Sequence, residues 1–225
     1  LGEGSRKAAE LLGVGADRVV ASKGLEFAAH MPQTKRSLAL IYAVNPFGAD
    51  HQSHEHDPSY EGGYAARMLE LDLLGAEPAH VLDERKVRYS LYTHYLYSCL
   101  DSVCACQFVY GPSFHLYDPR QLADVIEAIT GWPVTVWNLM KVGERRLAMM
   151  REFNRREGAG RAQDALPAKM AVPLQGGPSN GLSVDLDEVE AAKSLYYAMA
   201  GWDDDGHPTR SKLLELGLEW LVGTA

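Results

Sequence analysis

Apolar side chains recur along most of this chain at the three- and four-residue spacing of helices. The first such stripe predicts a helix over Gly4–Leu12, and a second, around Leu38–Tyr42, is stopped by Pro46. Between them, Arg18–Ala21 is the single strand-like stretch. Strict alternation of apolar and polar residues is otherwise almost absent, so the pattern favours helices over sheet.

The middle of the chain carries the longest apolar and aromatic stripe, which predicts a helix over Val81–Val109. A shorter helix is predicted over Tyr64–Leu74. Asp118 followed by Pro119 marks a further helix start, because a capping side chain and a first-turn proline are both favoured there. That helix is expected to end at Gly131 and to bury Leu122, Val125, Ile126 and Ile129.

The last third of the chain predicts three helices and one irregular segment. A long helix runs from Val136 to about Phe153, and the glycine- and proline-rich Gly158–Gly181 is expected to be an extended surface segment. Capping residues start the other two helices, one after Asp185 and one over Arg210–Leu216. The elements together predict an all-α fold, an irregular multi-helix domain without internal repeats.

The composition narrows the classes of function. With 30 acidic against 22 basic side chains the net charge is -8, and no basic stripe interrupts it, which argues against a nucleic-acid partner. No apolar run approaches the roughly 20 residues that span a bilayer, and no secretory signal opens the chain, so a cytoplasmic protein without a membrane span is expected. The chain begins without Met, inside a helical stripe, and is expected to be a piece of a longer polypeptide.

The hexapeptide Asp101–Cys106 places a carboxylate and two thiols near the end of the longest stripe. All cysteines of the chain lie between Cys99 and Cys106, which is a poor disulfide framework and suits a reducing compartment or a metal. The Asp101 carboxylate can accept two hydrogen bonds from the guanidine-like edge of a pterin, and the Cys106 thiolate can ligate an iron–sulfur cluster. The alternative is that the cysteines fill a helix interior and that Asp101 caps its end.

The loop Gly48–Asp57 concentrates three imidazoles and three carboxylates directly after the second predicted helix. One interpretation is a zinc-dependent hydrolase site held by His51, His54 and His56. The other is a solvated polar loop, because ligands from one loop without a distant fourth ligand rarely fix the geometry of a metal. His51, nearest the helix end, is the candidate for proton transfer near neutral pH.

Several short motifs occur along the chain in a fixed order. They are Lys23-Gly24-Leu25-Glu26, Tyr42-Ala43, Gly48-Ala49-Asp50-His51, Asp101 to Cys106, Trp137-Asn138-Leu139, Phe153-Asn154 with Arg156-Glu157-Gly158, Leu166-Pro167, and Gly201-Trp202-Asp203 with Gly206-His207-Pro208-Thr209. This order resembles the C-terminal part of the tungsten-containing aldehyde ferredoxin oxidoreductases. The resemblance spans nearly all 225 residues and depends on the series rather than on any one member.

The resemblance implies an architecture and two cofactors. In that family an N-terminal β domain is covered by two mainly helical domains, which enclose a tungsten (sometimes molybdenum) ion held by two pterins beside a [4Fe-4S] cluster. Residues 1–58 would then end the middle helical domain and carry the active-site loop, and residues 59–225 would form the C-terminal helical domain. Both cofactors would be incomplete without the N-terminal remainder of the same protein.

The resemblance also implies roles for individual residues. Asp101 would bind a pterin, Cys106 would be the last cluster ligand, and His51 would be the catalytic residue near the metal. Lys23 and Glu26 are assigned to cofactor binding, although their tetrapeptide by itself is typical of a turn. In the family's Asp-x-x-Gly-Leu-Cys motif, Cys104 takes the place of the glycine, so it is either a further cluster ligand or an obstacle to the cofactors.

The implied activity is oxidation of a small aldehyde to a carboxylic acid with ferredoxin as the electron acceptor, and the isolated chain would be inactive. A homo-oligomer is compatible with this interpretation. The rival hypothesis is a non-catalytic helical interaction module, because an apolar face left by a missing domain and a protein interface look alike in sequence. Iron and tungsten analysis of the complete gene product separates the two hypotheses.

Overall fold

In the computed structural model of the protein, residues 2–62, 68–111 and 116–223 are described. Within these ranges the all-α prediction is confirmed, with one small hairpin, β1 (Ala21–Ser22) and β2 (Leu25–Glu26). The helices are α1 (Gly4–Leu12), α2 (Arg36–Val44), α3 (Asp57–Tyr60), α4 (Glu84–Ser102), α5 (Gln107–Tyr110), α6 (Pro119–Thr130), α7 (Val136–Arg156), α8 (Leu186–Ala200) and α9 (Arg210–Glu215).

Capping side chains fix the starts of the later helices, as the sequence predicts. The Asp118 carboxylate accepts from the Gln121 backbone N–H at 2.8 Å, and the Gln121 side chain accepts in return from the Asp118 N–H. Asp185 caps α8, and Thr209 caps α9. Each cap satisfies backbone donors that the first turn leaves without a partner, so these boundaries are encoded locally.

The prediction of one long helix over Val81–Val109 is wrong in one respect, because this stretch forms two helices, α4 and α5. Cys104 has φ 55, the left-handed conformation that ends helices. The Ala105 N–H then donates to the Leu100 carbonyl at 2.9 Å and closes the end of α4. The break leaves the cysteine motif on a turn between two helices rather than inside one.

Two other predictions need correction near the chain start and middle. Arg18 ends a short 3-10 turn, so the strand predicted over Arg18–Ala21 is confined to Ala21–Ser22 and pairs with Leu25–Glu26. In the helix predicted over Tyr64–Leu74, residues 63–67 lie outside the described part, Met68 and Leu69 are helical, and residues 70–72 form a turn that ends the helix early.

The core is built where α2 and α4 meet α7 and α8. All nine residues of α2 are buried, so this helix is enclosed on every side. Residues of α2, α4, α7 and α8 share one apolar cluster, which includes Ile41, Leu91, Leu147 and Tyr196. The division predicted between residues 58 and 59 stays a prediction. No helix of the described ranges has both the length and the apolar character needed to cross a membrane.

Helix α6 is less buried than predicted, and the segment after α7 is more buried than predicted. Leu122 is buried, but Val125 and Ile129 are exposed, because only one narrow face of α6 packs against α7. The segment Gly158–Gly181 contains two 3-10 turns and is not wholly superficial, since Asp164 and Met170 are completely buried. Two anchors therefore hold it to the core.

Buried His94 makes the stability of the fold depend on pH. Its Nδ1 lies 2.7 Å from the Tyr196 hydroxyl, and burial lowers its pKa from 6.5 to about 3. Below pH 6.5 the unfolded chain binds a proton that the folded chain does not, so acid favours unfolding through this window. We expect His94 to remove about 2 kcal/mol of stability between pH 7.5 and pH 5.

Urea unfolding of wild type and His94→Gln at both pH values measures this effect. The loss of stability on acidification should be smaller in the variant by that amount. His54, whose pKa burial also lowers, contributes a loss of the same sign in both proteins and therefore cancels in the comparison. Equal losses in both proteins would show that His94 does not carry the effect.

Candidate active site

The hairpin packs directly against the histidine loop. Lys23 and Gly24, with φ 49 and 84, form the two-residue turn between β1 and β2. Gly48 has φ 111, and a Cβ there would lie 2.5 Å from the Ser22 carbonyl oxygen and 3.0 Å from the Leu25 Cβ. Glycine is therefore required at the start of the loop, because only it admits both the conformation and the close approach of the hairpin.

Local hydrogen bonds hold the loop that carries His51. The Asp50 carboxylate accepts from the Gln52 N–H at 3.0 Å and from the Ser53 hydroxyl at 2.9 Å, which shapes the turn around His51. From α7, Asn154 donates its side-chain N–H to the Pro46 carbonyl at 2.8 Å. The loop is thus fixed at its base by a distant helix and at its tip by its own carboxylate.

A cluster of imidazoles and one ammonium surrounds His51. Lys35 Nζ lies 3.2 Å from His30 Nδ1 and 3.1 Å from His56 Nδ1. His56 Nε2 lies 2.6 Å from the His51 carbonyl oxygen, and the ring centroids of His30 and His51 are 5.1 Å apart. With Nδ1 accepting from Lys35, the His56 Nε2–H donates to the His51 carbonyl, so this ring bridges the ammonium and the loop backbone.

His54 points into a different, fully buried network. Its Nε2 lies 3.0 Å from the Ser37 hydroxyl, which donates to Asp57, and Lys86 pairs with the same carboxylate. Burial lowers the pKa of His54 well below its usual value, so the ring is neutral. Its Nδ1 has no hydrogen-bond partner among the described residues.

The zinc site predicted as an alternative gains no support from this arrangement. His54 is engaged with Ser37, and both ring nitrogens of His56 contact other groups. In the described ranges no set of three or more His, Cys, Asp or Glu side chains is placed to hold a metal ion.

The last turn of α4 and the turn after it expose Asp101 and the thiols of Cys104 and Cys106. The Asp101 side chain is 53% exposed and pairs with Arg146 of α7 at 3.1 Å. Desolvation raises its pKa, Arg146 opposes this, and Asp50 of the histidine loop adds a smaller upward shift. The influence of Asp50 shows that the loop and the hexapeptide lie in one electrostatic neighbourhood.

The three thiols differ sharply in their surroundings. Cys104 and Cys106 are exposed, whereas Cys99 is buried and burial raises its pKa to about 12. Cys99 is therefore a filler of the helix interior, which is the alternative weighed from sequence, and it is a poor thiolate ligand. The exposed sulfurs match what a cluster bound between this turn and further polypeptide requires. Cys104 also adopts the conformation that favours the glycine of the family motif.

A cavity of about 260 Å³ joins the two halves of the site. Its walls include His30, Lys35 and His56 on one side, and Gln107 and Phe108, the residues that follow Cys106, on the other. The structure thus brings the histidine loop and the helix that follows the cysteine motif to one cavity.

Lys23 and Glu26 are both engaged within the chain. Lys23 Nζ lies 2.8 Å from Asp164 Oδ1 and also donates to the Ala43 carbonyl, and burial lowers its pKa to about 8. The exposed Glu26 accepts from the Ser5 N–H at 2.6 Å. These contacts tie the hairpin to its neighbours, and the assignment of both residues to cofactor binding stays a prediction.

Asp164 is the centre of an ion network that the sequence does not reveal. Its carboxylate accepts from Arg151, Lys23 and the Tyr197 hydroxyl, and Lys193 donates to its backbone carbonyl. The carboxyl lies in a segment whose composition indicates a surface loop, so no local signal identifies it. Lys35 and His30 also lack a sequence signal, since each is a single polar residue outside any motif.

The chain matches a known protein family over nearly its whole length. A family model described as aldehyde ferredoxin oxidoreductase, domains 2 and 3, matches residues 1–218. Tungsten-containing aldehyde ferredoxin oxidoreductases of Pyrococcus furiosus and Thermococcus kodakarensis are each 30% identical over 220 residues, which cover 97% of this chain and 34% of theirs. An aliphatic sulfonate oxidoreductase, WOR-like subunit, of Pyrococcus furiosus is 25% identical over 232 residues, 97% of this chain and 32% of its own length.

A solved structure shares the fold. The active site complex BamBC of benzoyl coenzyme A reductase superposes with a TM-score of 0.61 at 16% identity, over 88% of this chain and 32% of that one. By fold and family match, the chain corresponds to a helical region described as two domains of a larger enzyme. It belongs to the aldehyde ferredoxin oxidoreductase family. It spans about a third of the length of the relatives, 34% of each.

Proposed function

We propose that this chain is the helical, cofactor-covering part of an enzyme that oxidises aldehydes to carboxylic acids and passes the electrons to ferredoxin in the cytoplasm. The observation that carries the proposal is the shared cavity, which has the histidine loop on one wall and the residues after Cys106 on the other. An interaction module has no need to bring the loop that carries His51 and the helix that follows two exposed cysteines to one cavity.

The residues present fit the two cofactors of the family. Asp101 offers a half-exposed carboxylate to a pterin, and Cys106 offers an exposed sulfur to a cluster, while the further ligands would come from the rest of the polypeptide. When bound, these groups supply the two-electron oxidation and its division into single electrons. On this chain, the His51 imidazole holds and releases the proton, and the Asp50 turn with Asn154 keeps that ring in place.

Cysteine substitutions in the complete gene product test the cluster assignment. We expect Cys106→Ser to lose most of the cluster iron and its visible absorption, because the hydroxyl is a much poorer ligand than the thiolate. Cys104→Gly is the matched control, and it should retain the iron, because glycine suits the left-handed turn and Cys104 is not required as a ligand.

The iron content of these variants distinguishes Cys106 from Cys104 as the cluster ligand, and the metal content of the complete gene product distinguishes the enzyme from an interaction module. If Cys104→Gly loses the iron and Cys106→Ser keeps it, the cluster ligand is Cys104 rather than Cys106. A complete gene product that binds neither iron nor tungsten would favour the interaction module. We expect the isolated chain, which lacks most contacts to both cofactors, to show no turnover with any aldehyde.

A further inference from the structure

The cavity next to the histidine loop is lined by the ammonium of Lys35. Lys35 is half-buried, and its Nζ contacts the Nδ1 atoms of His30 and His56. Across the described ranges, no carboxylate lies within ion-pair distance of this ammonium, although Asp57 and Glu55 act on it from further away. A desolvated cation whose close partners are neutral rings favours an anion at its remaining donor.

The other polar groups of the cavity do not cancel this charge at short range. Glu55 also lines the cavity, but its carboxylate accepts from the Tyr97 hydroxyl at 2.9 Å, the Ser59 hydroxyl at 3.0 Å and the His56 N–H at 2.9 Å. Both of its oxygens are therefore engaged in hydrogen bonds, and its charge acts on Lys35 from beyond ion-pair distance.

A second buried group points to a polar occupant. His54 lines the same cavity, and its Nδ1 has no partner among the described residues. The Ser37 hydroxyl gives its proton to Asp57, so His54 must donate through Nε2, and its Nδ1 is a bare acceptor. Such an acceptor suits a water molecule that bridges the ring to an oxyanion.

We propose that this cavity holds the negatively charged end of the substrate, so that the preferred aldehydes carry a second, anionic group such as a carboxylate or a sulfonate. Lys35 is the specificity-determining residue, because its ammonium supplies the charge-assisted hydrogen bond. Gln52 and the apolar Phe108 complete the walls. About 260 Å³ of space admits a short chain and excludes bulky substrates. This inference rests on the proposed function for the reaction itself.

The test compares succinic semialdehyde with butanal, which has the same number of carbon atoms, on the complete gene product with a viologen dye as the electron acceptor. We expect kcat/KM to favour the anionic aldehyde. Lys35→Met should reduce the ratio of the two kcat/KM values by about 10- to 100-fold, the loss of a charge-assisted hydrogen bond, and Lys35→Arg should keep most of it. Lys169→Met, which removes an exposed lysine far along the chain, is the matched control and should leave the ratio unchanged.

A binding measurement without turnover keeps the two proposals apart. Titration of succinate into the same proteins, followed by calorimetry, should show binding that weakens at least about tenfold in Lys35→Met. If both aldehydes react equally well and the ratio does not respond to Lys35, the specificity inference is wrong and the oxidoreductase proposal stands. If neither aldehyde reacts while succinate binding still depends on Lys35, the proposed reaction is wrong and the anion site stands. Succinate binding that ignores Lys35 overturns the anion site.

Discussion

Replacing Asp164 by Asn is expected to destabilise the fold by about 3–5 kcal/mol, the cost of removing one partner from a buried ion pair. The carboxylate is fully buried and is shared by Arg151, Lys23 and Tyr197. Burial alone would raise its pKa, but the two cations hold it below the ordinary value, so the group is ionised in the folded chain. The amide removes that charge and leaves the Arg151 guanidinium, 1% exposed, without its counter-ion.

The measurement is the urea midpoint of unfolding, followed by circular dichroism. At a slope of roughly 2–3 kcal/mol per molar urea, the expected shift is about 1–2 M. Asp204→Asn is the matched control, because the Asp204 carboxylate is exposed, and it should shift stability by less than about 0.5 kcal/mol. A shift in Asp164→Asn no larger than in this control would contradict the network.

A double substitution identifies which cation depends on Asp164. Lys23 has a pKa lowered to about 8 even beside the carboxylate, because burial penalises its charge. Once the carboxylate is gone, Lys23→Met should recover part of the lost stability, since it removes a buried cation that has no partner left. A purely additive double variant would show that Lys23 and Asp164 do not interact, and would return Lys23 to its predicted role in cofactor binding.

Sequence reasoning succeeded where the physical signal is local. Asp118, Asp185 and Thr209 each cap a helix with their own side chain, so the starts of α6, α8 and α9 could be predicted from single residues. It failed at Cys104, because a left-handed non-glycine residue ends α4 without any of the usual stop signals. It failed again at Ile129, which follows the helical spacing but faces outward.

In the candidate site, too, local features could be predicted and features assembled from distant segments could not. The histidine loop and the cysteine motif could be found because each concentrates unusual side chains in a few residues. Lys35 could not, since its significance lies in two ring nitrogens contributed by residues 30 and 56 and in the cavity they share. Asp164 and Arg151 meet only through the path of the chain after α7. Groups assembled from separate segments have no sequence signature of their own.

The crossing of α4 and α7 determines how the site is supported. Gly143 of α7 lies against the backbone of α4, where a Cβ would fall 2.7 Å from the Tyr95 carbonyl carbon and 3.0 Å from the Cys99 nitrogen. One turn further along each helix, Arg146 pairs with Asp101. The spacing between the two helices therefore sets the position of the carboxylate assigned to the pterin.

Gly143→Ala is accordingly expected to destabilise the protein by about 3 kcal/mol, the upper end of overpacking penalties, because the neighbour is backbone and cannot rotate away. Alanine is the better helix former by about 1 kcal/mol, so any loss reflects the collision rather than propensity. Gly2→Ala adds the same methyl where nothing lies within 4 Å and should be neutral. We expect urea unfolding to show the loss for Gly143→Ala alone, and the complete gene product carrying it to retain less tungsten, because the separated helices displace Asp101. Wild-type stability in Gly143→Ala would mean that the helices do not approach as closely as this crossing requires.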